Sequence, residues 1–276
     1  ADCYTRNRNS RVVATHNRTH AKAVALAEKY GGTACADINE LLANPAVDAV
    51  AICSPQVVHH EQIVAAARAG KHIFCEKPVA SDAPGVRRVL AATEEAKKKN
   101  LMVGIGLQRR HEERYKDNIK QLHDGVIGEI NLMRVYWNGG GIWYRDRTPT
   151  QTEMTFQCNN WYHFIWACGD QICEQHIHNL DVGNWVMQGY PIMANGMGGG
   201  EMRMGGDRTK SQIFDHTFVE YTYANTDPSN AEQSPTVAAG LKGKIEAGPG
   251  ALRSGRPSQV LRTSFGGSTA EDRQEG

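Results

Sequence analysis

Along residues 11–125, short apolar runs alternate with amphipathic stretches of helical period. "RVVATH" is β-branched and strand-like, and "HAKAVALAEKYG" follows with helical spacing and a glycine stop. "DINELLAN" predicts a short helix capped by Asp37. "VDAVAIC" and "KHIFCE" read as buried strands around the helical "VVHHEQIVAAARAG". "APGVRRVLAATEEAKKKN" is a helix with a basic last turn, which the helix dipole favours. "LMVGIG" predicts another strand, and "HEERYKDNIKQLHDG" another helix. Strands alternating with helices imply βαβ units and a parallel sheet covered on both faces.

The pattern changes after residue 126. "GEINLMRVYWNG" alternates like a strand, and a long aromatic loop follows over 140–164. A helix is expected at roughly 170–188, and "PIMANGMGGGEMRMG" and "HTFVEYTYA" read as strands around a Gly-rich turn. The expected organisation is an α/β, Rossmann-like doubly wound parallel sheet over 1–125, without its first strand. An α+β domain with an open, mainly antiparallel sheet follows over 126–224, and an irregular or aberrant tail over 225–276.

Composition narrows the partners. The net charge is +1, from 31 basic and 30 acidic residues with no basic block, which speaks against nucleic acid and anionic membrane. No apolar run approaches the ~20 residues that span a bilayer. The seven cysteines are odd in number, scattered and without a C-x-x-C pair, as in a reducing compartment.

Two stretches concentrate chemistry. In "GDQICEQHIHNLD", Glu174, His178 and Asp181 are spaced by four and three, which places them on one face of a continuous helix. His176 and His178 would point about 200° apart on that helix and could not share a metal; no metal site is expected. In "AICSPQVVHHEQIVAAARAGKHIFCEKPVA", one strand ends in Ser54-Pro55 and the next in Glu76-Lys77-Pro78. Strand carboxyl ends of such a sheet are where ligands bind.

Ser54, Pro55, His59, Glu76, Lys77 and Pro78 resemble, position by position, the segment of the glucose–fructose oxidoreductase and inositol dehydrogenase family (Gfo/Idh/MocA) that lines the nicotinamide end of a dinucleotide site. "GIGLQRRHEERYKDNIKQLHDGVIGEI" is similar to that family's linking segment, with Arg110 at its arginine. The E-x-x-x-H-x-x-D pattern is similar to its D-x-x-x-H-x-x-D motif, with Glu174 for the first Asp. The resemblance runs from about residue 11 to about residue 223. It implies an NAD- or NADP-dependent enzyme moving hydride between nicotinamide and a hydroxyl carbon of a sugar, cyclitol or related polyol. It gives His178 as general acid/base, Glu174 as its orienting carboxylate, and Lys77 as donor to the reacting hydroxyl. Arg110 and Asp181 would contact substrate, Asp181 having a structural role as its alternative. Among the loop aromatics Trp143, Tyr144, Trp161, Tyr162 and Trp166, the pocket is expected to use Trp161 and Tyr162, and Trp166 to pack in the core. The resemblance also implies a homo-oligomer, assembled through the open sheet.

The phosphate cradle is the missing part. A G-x-G-x-x-G turn should stand ~20 residues before the second-strand end at Asn17, upstream of residue 1. Residues 1–10 hold no glycine, and "GIGLQR" comes four strands too late and lacks the third glycine. The chain is expected to continue upstream; location is then cytoplasmic, or exported if a signal precedes. Asn17-Arg18 replaces the usual ribose-binding acid, tilting the expectation toward NADP through an Arg–phosphate pair. Two further readings stay open: NAD-dependent glycoside hydrolysis by oxidation and elimination, and a non-catalytic carbohydrate-binding relative without the cofactor loop.

Overall fold

In the computed structural model, residues 2–201, 203–224 and 236–242 are described, the last group by backbone alone. The chain divides into two compact units, Ala1–Gly106 and Leu107–Gly276.

The first unit contains α1 (Asp2–Arg6), β1 (Ala14–His16), α2 (His20–Tyr30), β2 (Thr33–Cys35), α3 (Ile38–Ala43), β3 (Ala49–Ile52), α4 (His59–Arg68), β4 (His72–Cys75), α5 (Ala83–Lys98) and β5 (Val103–Ile105). Local chemistry sets the helix ends. Asp37 accepts the Glu40 N–H at the start of α3, and Asp82 accepts the Gly85 N–H at the start of α5. The α4 stripe His59, Ile63, Ala66, Ala67 and the α5 stripe Val89, Ala92, Ala96 are buried at helical spacing. They pack with Ile52, Ile73 and Cys75 of the strands, and each buried isoleucine contributes roughly 1.5–3 kcal/mol. Between α2 and β2 the chain passes so close to Val13 that a Cβ on Gly32, at φ +112°, would lie 2.7 Å from the Val13 carbonyl carbon.

All pairings in this unit are parallel, but they form two ladders, β1–β2 and β3–β4–β5, rather than one sheet.

The second unit contains α6 (Glu113–His123), β6 (Leu132–Trp137), α7 (Glu153–Asn159), α8 (Ile165–Cys168), α9 (Asp170–Glu174), α10 (Ile177–Val186), β7 (Pro191–Gly199), β8 (His216–Tyr223) and β9 (Thr236–Lys242). The unit begins earlier than the expected change at residue 125, because Tyr115 and Ile119 of α6 join Met133, Val135, Val182 and Val186 in one core. The sheet order is β6-β9-β8-β7, antiparallel except for β6–β9. Strand β9 lies within the segment expected to be irregular and stands in the middle of the sheet. It owes its state to two flanking strands rather than to its own weak pattern, "TVAAGLK". The rest of 225–276 lies outside the described residues.

The single helix expected at 170–188 is two helices. The Gln171 carbonyl accepts both the Gln175 and the His176 N–H, at 2.9 and 3.0 Å, so the ladder slips by one residue. Helix α10 restarts at Ile177, and Glu174 and His178 do not share one continuous helix.

Candidate active site

The first unit gathers the ends of β3, β4 and β5. The ladder runs on past the strands, with Glu76 N–H to Ile52 O at 2.9 Å and Gly106 N–H to Cys75 O at 2.8 Å. Ser54-Pro55, Glu76-Lys77-Pro78 and Gly106 are thereby brought together at the carboxyl edge. His59 ties two of these turns. It is 1% exposed, with Nδ1 2.8 Å from the Pro78 carbonyl and Nε2 2.7 Å from the Ser54 carbonyl. Both ring nitrogens are spent on backbone, so His59 acts on this edge through the turns it braces. Ser54 Oγ donates to Gln62 Oε1 at 2.6 Å. The Glu76 carboxylate lies over Gly106, where a Cβ would come within 2.6 Å of Oε2.

Lys77 is half-buried beside Glu76. Tyr4 of α1 lies near the same edge: burial first, then the charges of Cys53 and Cys3 and of Glu76, raise its phenol pKa. Burial pushes the Cys75 thiol up to about 12, and Cys53 is raised by burial and by Glu76, so neither thiol is disposed to ionise. At the end of β1, Asn17 Oδ1 accepts the Thr19 N–H at 2.9 Å, and Arg18 is exposed.

The second unit gathers its polar groups where β6 meets α10. Strand β6 turns Met133, Val135 and Trp137 to one face, and α10 presents His178, Val182 and Val186 at i, i+4 and i+8. The two stripes share one core, and His178 is the polar end of the helical one. Its ring stacks on Trp137, centroids 6.3 Å apart and planes at 29°. Asn179 Nδ2 donates to the Tyr136 carbonyl at 2.5 Å, and Asn179 Oδ1 accepts from Arg109. The Arg109 guanidinium lies over both Tyr115 and Trp137, at 5.5 and 5.9 Å from the ring centres. Glu174 and His176 are buried here, at 6% and 1% exposure. Burial, followed by the charge of Arg109, lowers the His176 pKa to about 4, so this imidazole is neutral.

Other expected site residues are placed differently from one another. Arg110 and Asp181 are paired, and Arg110 also lies over Trp185 at 5.0 Å. Tyr162 is buried against Cys168 and Ile213, with Trp161 packed on the same cluster. Trp166, expected in the core, is 44% exposed and donates to Gln157 Oε1 at 2.6 Å. It follows the buried cluster on the one-turn helix α8, whose inward positions are taken by Ala167 and Cys168.

Arg109, Trp137 and Asn179 were not singled out by motif. The signal for Trp137 was present in the period-two burial of β6, whose inner face must meet a helix. A depression of about 400 Å³ elsewhere in the unit, lined by Asp170, Ile172, Gly196, Gly198, Phe214 and Thr217 among others, contains none of the expected site residues. Among the described residues, no group of three His, Cys, Asp or Glu is arranged to hold a metal ion. No helix among them is long and apolar enough to cross a membrane.

Residues 1–105 match the oxidoreductase family GFO_IDH_MocA, described as having an NAD-binding Rossmann fold. The match spans the first unit almost entirely, and the chain belongs to that family. An inositol 2-dehydrogenase of Rhizobium meliloti is 38% identical over 186 residues, covering 67% of this chain and 50% of that protein. A myo-inositol 2-dehydrogenase of Thermotoga maritima is 31% identical over 151 residues, covering 55% of this chain and 39% of that protein. The chain thus spans half or less of the length of these relatives. The crystal structure of myo-inositol 2-dehydrogenase from Lactobacillus plantarum superposes with a TM-score of 0.65 at 18% identity, covering 88% of this chain and 66% of that one. That of apo scyllo-inositol dehydrogenase from Lactobacillus casei gives 0.64 at 19%, covering 87% and 63%. These two likenesses speak to the fold.

Proposed function

We propose that the protein is an NAD(P)-dependent oxidoreductase that moves hydride between nicotinamide and a hydroxyl carbon of a polyol, with a cyclitol as the favoured substrate class. The observation that carries this reading is the 38% identity to an inositol 2-dehydrogenase over 186 residues, 67% of this chain.

The residues present fit one end of a dinucleotide. The close approach of Glu76 to Gly106, and the bracing of Ser54 and Pro78 by His59, make a fixed edge at the strand ends that suits a nicotinamide ring. Ser54, Pro55, Glu76 and Lys77 would hold that ring, with His59 acting through the turns; Asn17 and Arg18 stand where the adenosine ribose is expected. Residues 1–10 offer no Gly-rich turn for the pyrophosphate. When bound, nicotinamide supplies the hydride acceptor or donor.

The chain's own part is to orient the hydroxyl and move its proton. The Lys77 ammonium donates to the reacting oxygen and favours alkoxide character as the proton leaves. The His178 imidazole takes that proton, or returns it in the reverse direction. Glu174, on the other side of the helix break, is the carboxylate assigned to tune the imidazole. Arg110 and Asp181, locked to each other, hold the segment before α6 to α10, and Trp161 would offer an apolar face to sugar C–H groups.

Self-association belongs to the same reading. The outer face of the second unit's sheet exposes Met193, Met197, Phe218 and Tyr136, at 52%, 77%, 46% and 48%, an apolar surface suited to a second copy. The test of function is the reduction of NAD and of NADP by a panel of cyclitols, sugars and linear polyols. Reduction by at least one cyclitol is expected; a protein inert toward the whole panel with either nucleotide would end the proposal.

A further inference from the structure

We infer that Trp143 and Arg145 form a polyol-binding subsite, in which the indole takes the C–H face of a ring and the guanidinium its hydroxyls. The inference deepens the polyol reading and rests on it for the class of ligand.

The long aromatic loop carries Trp143, Tyr144 and Arg145 in succession. Two fully buried polar side chains are spent on holding them. Asn160, 0% exposed, accepts the Arg145 N–H on Oδ1 at 2.8 Å and donates from Nδ2 to the Arg145 carbonyl at 3.0 Å. One side-chain amide thus satisfies both backbone groups of Arg145, as a neighbouring strand would. His163, also 0% exposed, donates from Nε2 to the Trp143 carbonyl at 2.8 Å, with Nδ1 3.0 Å from the Ser211 hydroxyl. Between these two anchors, Tyr144 sets its ring edge-to-face with His163 and Phe156, at 5.3 and 6.1 Å between centres. Three successive loop residues are therefore fixed from the interior. What they present at the surface is an indole that is 40% exposed.

The Arg145 guanidinium lies over the Trp143 ring, 4.8 Å from its centre, and Nη1 donates to the Asn159 carbonyl at 2.7 Å. Stacking uses the face of a guanidinium and leaves its other in-plane N–H groups for hydrogen bonds. Among the described residues no ion pair engages Arg145, whereas its neighbour Arg147 is paired with Glu153. Trp161 meets Trp143 at 6.1 Å and 59°, so the two indoles make an angled apolar surface. A polyol ring carries C–H groups on its faces and hydroxyls around its edge, which an indole beside a guanidinium matches. A contact preset by buried anchors loses little conformational freedom when a ligand arrives. The aromatic cluster also reaches toward the segment that carries Glu174. Trp161 packs on Tyr162 at 5.4 Å, and burial first, then the Glu174 charge, raise the Tyr162 phenol pKa. Tyr162 itself, 6% exposed, is out of a ligand's reach, and Trp143 takes the place the sequence gives it.

The test uses myo-inositol as the probe. In Trp143→Ala, KM for myo-inositol is expected to rise about tenfold while kcat stays within about threefold. Trp143→Phe, which keeps an aromatic face, should recover most of the affinity. Arg145→Met, which keeps cover over the indole and removes the donors, should raise KM about fivefold. A second readout needs neither cofactor nor turnover. The Trp143 indole N–H signal, assigned by its loss in Trp143→Phe, should shift as myo-inositol is titrated into the parent protein. Unchanged KM in Trp143→Ala, or an indole signal that stays in place at high polyol concentration, would overturn the inference. A dimer lost in Trp143→Ala with polyol affinity intact would also overturn it, by making the indole a contact between copies. A parent protein inert toward every polyol would strike the polyol reading instead, and the indole titration would then decide the subsite alone. If Trp143→Ala does not fold, Arg145→Met and the indole titration decide.

Discussion

Arg110 grips the Asp181 carboxylate with two parallel bonds, Nε to Oδ2 at 2.9 Å and Nη2 to Oδ1 at 2.8 Å. The sequence expectation gives Arg110 a substrate contact, and Asp181 either a substrate contact or a structural role. The fork geometry instead uses the face that each would offer a ligand. The pair joins the segment before α6 to α10, one turn beyond His178, and so fixes the helix that carries that imidazole.

Replacing Asp181 by Ala should therefore act on stability first. The Asp181 side chain is only 12% exposed, but Arg110 is 38% exposed and partly screened. A loss of about 1–2 kcal/mol is expected, measured by urea unfolding. A variant of unchanged stability whose KM for polyol rises sharply would return Asp181 to the role of substrate ligand.

His59→Ala should loosen both turns at the carboxyl edge of the first unit's sheet. It removes a buried ring and leaves the Ser54 and Pro78 carbonyls without their partner, a cost of about 2–4 kcal/mol. Nucleotide affinity should fall with it. Calorimetry and thermal unfolding check the two effects together; full stability would contradict the bracing role.

His176 gives the protein an acid sensitivity of definite sign. In the folded chain its pKa is lowered to about 4, while the unfolded value is the ordinary 6.5. Above pH 6.5 both states are neutral at this site and stability is at its full value. As pH falls below 6.5 the unfolded state gains a proton first, and stability declines until the folded pKa near 4 is passed. The difference approaches about 3 kcal/mol at most. Subtracting the pH–stability profile of His176→Leu isolates this from other buried groups such as Asp170, whose pKa burial raises. Parallel profiles for the two proteins would contradict the buried, neutral imidazole.

The first unit was largely legible in the sequence because its signals are local. The apolar run over residues 49–53 marks its strand, although only Ile52 of β3 is buried; Asp37 caps the helix it precedes, and Glu76-Lys77-Pro78 directly follows a strand. What escaped depends on partners distant along the chain. Strand β9 is a strand because β6 and β8 flank it. The break between Glu174 and His178 arises from one carbonyl accepting two N–H groups, which spacing rules for a straight helix do not contain. Trp137 and His178 meet only because β6 and α10 pack through matched stripes. The pairing of Arg110 with Asp181 joins residues 71 apart in the chain, and nothing local chose pairing over ligand binding.

The sharpest measurement is the steady-state rate of nicotinamide reduction by a cyclitol in the protein, in Lys77→Ala and in His178→Ala, with folding checked by circular dichroism. Each substitution should lower kcat/KM by about 10²–10⁴-fold while leaving the spectrum unchanged. Turnover surviving both changes would show that neither the lysine nor the imidazole serves the reaction.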